Sequence, residues 1–261
     1  MQQLTASVDL ERRMQVAANA PQRLLMLDYD GTLAPFQVDP ALALPYPGLT
    51  DLLERLAGQG TRIVVVTGRP ADQCERLLAV RFPLEIWGCH GGERRLPDGS
   101  AWRHELSALQ AVGLLRATAI KQAVQALGGR LEIKRLAVAA HHRGCPAQAV
   151  HAIRALVRGD WQALARQFDL SVVEFDGGLE LRLPGLGKAH AVEVMLAEAP
   201  TALPIAFLGD DETDEDGFRA VRGRGLGVLV RPELRPTAAD LWIQPPEELF
   251  WFLERWGGLT G

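Results

Sequence analysis

Residues 23–33 read Arg-Leu-Leu-Met-Leu-Asp-Tyr-Asp-Gly-Thr-Leu. Arg23–Leu27 is a short apolar run without polar alternation, the pattern of a strand buried on both faces in a parallel sheet. It runs straight into two acids, Asp28 and Asp30. Residues i and i+2 of a strand share a face, and Gly31 permits a sharp turn just beyond. Both carboxylates are therefore expected at one place, the carboxyl end of a buried strand.

Working outward, a proline-rich loop (Pro35, Pro40, Pro45, Pro47) leads to Leu49, Leu52, Leu53 and Leu56, whose spacing forms one face of a helix. Gly58 and Gly60 stop it. Arg62–Val66 is a β-branched run ending at Thr67, which completes a strand–helix–strand unit and implies a parallel sheet. A helix is expected over 71–80, a strand over Leu84–Trp87, and a hairpin over Arg94–Trp102 turning at Asp98-Gly99. The same architecture returns late in the chain. Lys188–Ala199 reads as a helix, Ile205–Leu208 as a strand entering Gly209-Asp210, and a helix follows from Asp214. Strands at Gly227–Val230 and Leu241–Ile243 precede a last helix near Pro245-Pro246.

The middle reads differently: a helix over 107–127, a strand over Leu131–His142, a long helix over Ala147–Phe168, and strands Leu170–Phe175 and Leu179–Leu183 joined at Gly177-Gly178. This order suggests a separate small α+β layer. The expected fold is α/β, a Rossmann-like parallel-sheet core formed by 1–106 and 184–261, with a smaller α+β domain, 107–183, inserted.

With 261 residues, 48% hydrophobic and 23% charged, the chain suits a core plus a smaller domain. A net charge of -4 argues against a nucleic-acid binder. Cys74, Cys89 and Cys145 show no C-x-x-C spacing, which argues against zinc and fits a reducing compartment. Residues 1–20 lack an apolar leader segment, and no run reaches the roughly 18 apolar residues of a membrane span. A cytoplasmic monomer acting on a small molecule, with no nucleic acid or membrane partner, is expected.

In open parallel sheets ligands bind outside the carboxyl ends of the strands. Three separated strands end there in reactive residues: Asp28 and Asp30, then Thr67-Gly68-Arg69, then Asp210-Asp211 with Asp214. Lys188 opens the helix before the last of them. So many like charges require a cation, and carboxylate oxygens without Cys or His point to Mg²⁺. Such a cation, with Lys188 and Thr67, suits a phosphate, and a carboxylate such as Asp28 can take a phosphoryl group covalently. Asp30 is placed to protonate a poor leaving group. Each motif alone has an ordinary reading: an acidic turn for Asp28–Thr32, a plain loop for Thr67–Arg69, a solvated lysine at 188, a helix start favoured by the dipole for Asp210–Asp216. Their common place at strand ends favours chemistry.

These motifs resemble the haloacid-dehalogenase superfamily of phosphohydrolases. Segments Gly88–Arg95, Leu131–Arg143, Leu179–Pro184 and Phe207–Phe218 extend the resemblance to bacterial trehalose-6-phosphate phosphatases. The resemblance implies hydrolysis of trehalose 6-phosphate with Mg²⁺ through an aspartyl-phosphate. It implies Asp28 as nucleophile and metal ligand, and Asp30 as general acid/base and metal ligand through its carbonyl. Asp210 is implied as the third ligand, supported by Asp211 and Asp214. Thr67 and Lys188 are implied to hold the phosphate, with Arg69, His90 and Arg94 lining the core side of the cleft. The insert is implied to be a cap whose Glu132, Lys134 and Glu180 bind the distal sugar. Arg143 is read as a substrate contact and His141 as packing or hinge support. Other glycosyl phosphates (sucrose 6-phosphate, a glycosyl-glycerol phosphate, mannosyl-3-phosphoglycerate), a phosphomutase and a non-catalytic sensor stay open as alternatives.

Overall fold

The computed structural model describes residues 1–37, 39–175 and 177–259. In chain order the elements are β1 (Gln2–Gln3), α1 (Leu10–Asn19), β2 (Arg23–Leu27), α2 (Leu49–Gly58), β3 (Thr61–Val66), α3 (Ala71–Leu78), β4 (Glu85–Gly88), β5 (Glu93–Arg95), β6 (Ala101–Arg103), α4 (Ala108–Ala117), α5 (Lys121–Ala126) and β7 (Arg130–Ile133). They continue with β8 (Ala137–His141), α6 (Ala147–Gln167), β9 (Ser171–Phe175), β10 (Gly178–Arg182), α7 (Lys188–Glu198), β11 (Ile205–Gly209), α8 (Glu215–Val221), β12 (Leu226–Val230), β13 (Leu241–Ile243) and α9 (Glu247–Trp256). The chain divides into two compact units, Met1–Trp102 with the chain from Gly187 onward, and Arg103–Leu186.

The first unit is built on a nine-stranded sheet in the order β1-β13-β12-β11-β2-β3-β4-β5-β6. The six strands from β13 to β4 are mutually parallel, while β1 and β5 join antiparallel at either side of them. Strand β2 is central because its residues are buried on both faces. Leu25 and Leu27 join a cluster with Leu49, Leu52, Leu53 and Leu56 of α2 and Phe252 and Trp256 of α9. Leu24 and Met26 join a second cluster with Val192 and Met195 of α7 and Phe218 of α8. The chain leaves β2 toward β3 and β4, then returns to place β11 on the other side of β2. That reversal creates a switch point, and the crevice for a ligand lies at the carboxyl ends of β11, β2 and β3.

The second unit has a four-stranded antiparallel sheet in the order β7-β8-β10-β9. Alternation sorts its residues by face. Leu131, Val138, Ala140, Leu179 and Leu181 share one face with Glu174, which is paired with Arg154 and Arg158 of α6. The helices therefore cover that face. The opposite face carries Glu132, Lys134, Ala139, His141, Glu180 and Arg182.

Several elements differ from their sequence-based reading. The strand expected over Leu131–His142 is a hairpin, β7 turning into β8, with the Lys134 N–H donating to Ala137 O at 2.9 Å. The helix expected over 107–127 is α4 and α5 separated by a tight turn at Thr118–Ile120. The N-terminal helix α1 was unanticipated; Asp9 caps it by accepting from the Arg12 N–H. Among the described residues no helix is long and apolar enough to cross a membrane.

Candidate active site

Strand β2 ends at Leu27, so Asp28 projects from the carboxyl end of the central strand, with its N–H donating to Leu208 O of β11 at 2.9 Å. Its carboxylate is buried, and Lys188 Nζ lies 2.8 Å from Oδ1. Lys188 stands in the first turn of α7, where a cation opposes the helix dipole, and only 4% of it is exposed. Its place is explained by two carboxylates, because it also bonds Asp214 Oδ1 at 2.8 Å. The other Asp214 oxygen accepts the N–H groups of Asp210 and Asp211, at 3.1 and 3.0 Å. Gly209 admits that carboxylate: a Cβ there would lie 2.3 Å from Asp214 Cγ.

Asp210 closes the group from the end of β11. Asp28, Asp210 and Asp214 bring their oxygens within 4.8 Å of one another. Three carboxylates against one ammonium leave two negative charges in a buried place. Each like pair at such a distance costs about 3 kcal/mol at an effective dielectric of about 20. Among the described residues no group donates a hydrogen bond to either of the buried Asp210 oxygens. Asp28 and Asp210 are close enough to share a proton if one of them is protonated, but when both are ionised neither donates. Burial, opposed by Lys188 and reinforced by Asp214, pushes the Asp28 carboxyl up to about 7. Burial and the neighbouring carboxylates push Asp210 well above the usual range. Lys188 loses solvation there, yet Asp214, Asp28 and Asp210 more than offset this and hold it charged. The donor set fits a hard divalent cation: only oxygens, excess negative charge, and, in Asp210, a carboxylate to which no cationic or N–H group among the described residues is bonded.

The segment after β3 adds the next residues. Thr67 is fully buried; its N–H donates to Trp87 O at 2.8 Å, and its Oγ1 accepts the Arg69 N–H at 3.2 Å. His90 adopts the left-handed region (φ 54°, ψ 44°), directly after Cys89 at φ 51°. Such backbone is held only by its surroundings. Here the His90 N–H donates to Thr67 O at 3.0 Å, and a Cβ on Gly68 would strike the ring at 2.5 Å. His90 is thus brought over Thr67-Gly68. Arg69 bonds both oxygens of Asp30, Nε to Oδ2 at 2.7 Å and Nη2 to Oδ1 at 2.5 Å.

Arg94 is not brought to this group. Its guanidinium bonds Glu85 Oε1 at 2.8 Å and both oxygens of Glu198 at 2.6 and 2.7 Å, and lies 4.9 Å from the Trp87 ring centroid. Glu198 ends the helix that Lys188 begins, about 15 Å away at 1.5 Å per residue. In this structure Arg94 instead neutralises Glu85, a buried carboxylate also held by Arg62 at 2.6 Å.

Two residues to which the sequence assigned no role, Arg235 and Glu93, hold the backbone around these groups. Arg235, in the β12–β13 loop, donates to Asp211 O at 2.7 Å, Asp210 O at 3.3 Å and Glu215 Oε1 at 2.5 Å. Glu93 accepts the Ala71 N–H at 2.5 Å, capping α3 just after Arg69. Backbone carbonyls and N–H groups leave no mark in a side-chain pattern, so spacing could not find these partners.

In the second unit, Lys134 Nζ bonds Glu180 Oε2 at 2.8 Å, with Arg182 3.7 Å from the same carboxylate. Glu132 pairs with His141 Nε2 at 2.7 Å, which holds its carboxyl down to about 2 despite burial. Glu132 and Glu180 both sit opposite Ala139, on the strands that flank β8 and on one face. Arg143 lies beyond β8, exposed, beside Gly177.

A family model described as trehalose-phosphatase matches residues 26–241. The chain belongs to that family. A trehalose-phosphate phosphatase of Mycolicibacterium paratuberculosis is 34% identical over 247 residues, covering 88% of this chain and 61% of that protein. A probable trehalose-phosphate phosphatase of Sinorhizobium fredii is 32% identical over 229 residues, covering 86% and 83%. The chain thus spans about three fifths of the length of the mycobacterial relatives. The C-terminal domain of the Candida albicans trehalose-6-phosphate phosphatase superposes with a TM-score of 0.83 at 19% identity, covering 99% of this chain and all of that one. At that identity the likeness shows the fold alone.

Proposed function

We propose that this chain hydrolyses trehalose 6-phosphate to trehalose and phosphate, with Asp28 as covalent nucleophile. The observation that carries the reading is the buried Asp28 carboxylate, 2.8 Å from Lys188 and beside the unpartnered Asp210 oxygens, at the ends of two adjacent central strands.

Mg²⁺ is the cation that fits; Asp28, Asp210 and the Asp30 carbonyl would hold it, and it would neutralise phosphoryl charge and favour the ionised form of Asp28. Asp214 is already committed to Lys188 and two backbone N–H groups, so it orients the others, and Asp211 caps the turn that carries it. Asp28 attacks phosphorus, and Lys188 and Thr67 hold the phosphoryl oxygens. Asp30 protonates the departing sugar oxygen, then takes a proton from the water that hydrolyses the aspartyl-phosphate. His90 borders the phosphate site over Thr67. On the second unit, the charged face of Glu132, Lys134 and Glu180 recognises sugar hydroxyls through charge-assisted hydrogen bonds, and Arg143 adds a contact. The family membership supports the choice of trehalose 6-phosphate.

The test is phosphate release from a panel of sugar phosphates with Mg²⁺, for wild type, Asp28→Asn and Glu180→Gln. Trehalose 6-phosphate should stand well above glucose 6-phosphate and sucrose 6-phosphate. Asp28→Asn should bring release to background, and Glu180→Gln should raise KM for trehalose 6-phosphate alone. Asp28-dependent release that favours another sugar would overturn the substrate and keep the chemistry.

A further inference from the structure

Arg69 is 7% exposed, and its guanidinium faces Asp30 as a planar fork, with two N–H groups on two carboxylate oxygens. A third, from Nη1, reaches Pro40 O at 2.8 Å, and the group lies 5.2 Å from the Tyr29 ring centroid. Tyr29 is itself pinned, its hydroxyl donating to Ala43 O at 2.7 Å. The backbone presenting Arg69 is held on both sides. Its N–H donates to Thr67 Oγ1, its carbonyl accepts the Cys89 N–H at 2.9 Å, and Glu93 caps the helix that starts two residues later. Gly88 permits the approach of Glu93 and the Arg69 carbonyl, since a Cβ there would lie 2.7 Å from Glu93 Oε1 and 2.9 Å from Arg69 O.

We propose that Arg69 is a positioning residue for Asp30, acting on proton transfer to the leaving group rather than on the sugar. The proposal rests on the phosphatase reading above. In the first step a bond forms between Asp28 Oδ and phosphorus while the phosphorus–oxygen ester bond breaks. The ester oxygen takes the proton carried by Asp30 and leaves as the sugar hydroxyl. A carboxyl on a free side chain samples several orientations, and general acid catalysis demands one within hydrogen-bond reach of the ester oxygen. A bidentate guanidinium fixes both the plane and the tilt of a carboxylate, which the ammonium of a lysine does not. Each Asp30 oxygen keeps a second lone-pair site for the proton it passes on.

The test is a double-mutant cycle read on two esters. Wild type, Arg69→Ala, Asp30→Asn and the double variant are compared on trehalose 6-phosphate, whose alkoxide must be protonated. They are also compared in the first-turnover burst of p-nitrophenyl phosphate, whose leaving group needs little proton help. Arg69→Ala should slow the sugar ester by about 10²-fold, chiefly in kcat, and leave the p-nitrophenolate burst within about threefold of wild type. In the Asp30→Asn background it should cost almost nothing further. Arg69→Lys, which keeps the charge but loses the fork, should show the same dependence on leaving group at an unchanged melting temperature; it serves if the alanine variant does not fold. Equal losses on both esters, a loss undiminished in the Asp30→Asn background, or an effect confined to KM would overturn the proposal. If the wild type prefers another sugar phosphate, that ester replaces trehalose 6-phosphate in the cycle, so the substrate reading and the role of Arg69 fail separately.

Discussion

Asp210 occupies the space that a side chain on residue 31 would need: a Cβ on Gly31 would come within 2.3 Å of Asp210 Oδ2. Gly31 also sits at φ +83°, a conformation that other residues adopt at a cost. Gly99, at φ +84° in the β5–β6 turn, has nothing within 4 Å of its imagined Cβ. The two positions therefore separate backbone strain from collision. Gly99→Ala should destabilise by about 1 kcal/mol through strain and leave phosphate release unchanged. Gly31→Ala carries the same strain and also displaces Asp210, so it should abolish release. Chemical denaturation alongside activity checks both, and an active Gly31→Ala would contradict the packing.

Arg94 lies between Glu85 and Glu198 and away from Asp28. Arg94→Ala leaves the buried Glu85 with Arg62 alone. It should cost about 2 kcal/mol of stability, the scale of hydrogen bonds to a charged group, because Glu85 keeps Arg62, while KM for trehalose 6-phosphate stays within about twofold. A rise in KM without loss of stability would return Arg94 to the substrate.

Glu132 offers a test in pH. Its folded carboxyl is held down to about 2 by His141 against an ordinary value of 4.5. A depressed carboxyl contributes stability that is fully present above the unfolded value and disappears as pH falls through the folded one. The advantage of wild type over Glu132→Gln in melting temperature should therefore be present at about pH 5 and shrink steadily from pH 4.5 toward pH 2. A difference independent of pH across that window would mean that the ion pair does not set it.

Arg235 fixes the carbonyls of Asp210 and Asp211 and pairs with Glu215. Removing it frees the turn that aims Asp210. Arg235→Ala should raise the Mg²⁺ concentration needed for half-maximal phosphate release by about tenfold, as loss of an outer-shell partner typically does. It should also reduce the thermal stabilisation given by Mg²⁺. An unchanged metal requirement would contradict this role.

What the sequence showed and what it concealed follow from where the information sits. β2, β3 and β11 were legible because strands buried on both faces are unbroken apolar runs, and their ends carry the reactive side chains. The β7–β8 hairpin was concealed because its turn, Lys134 to Leu136, contains no Gly, Pro, Asn or Asp. The twelve-residue stretch Leu131–His142 exceeds the usual strand length, and that was the one available sign. Helix α1 was concealed because it buries little more than Met14 and Ala17, too few positions for a period. The pairing of Arg69 with Asp30 joins segments 39 residues apart. Charge alone could not choose it over a substrate contact.

The most direct measurement is to trap the phosphoenzyme. Wild-type protein is mixed with trehalose 6-phosphate and Mg²⁺, quenched during turnover, and treated with borohydride, which reduces an acyl phosphate to the alcohol. Homoserine should appear at position 28 in the peptide mass spectrum and be absent without substrate. An unmodified Asp28, together with an Asp28→Asn variant that still releases phosphate, would contradict Asp28 as the nucleophile.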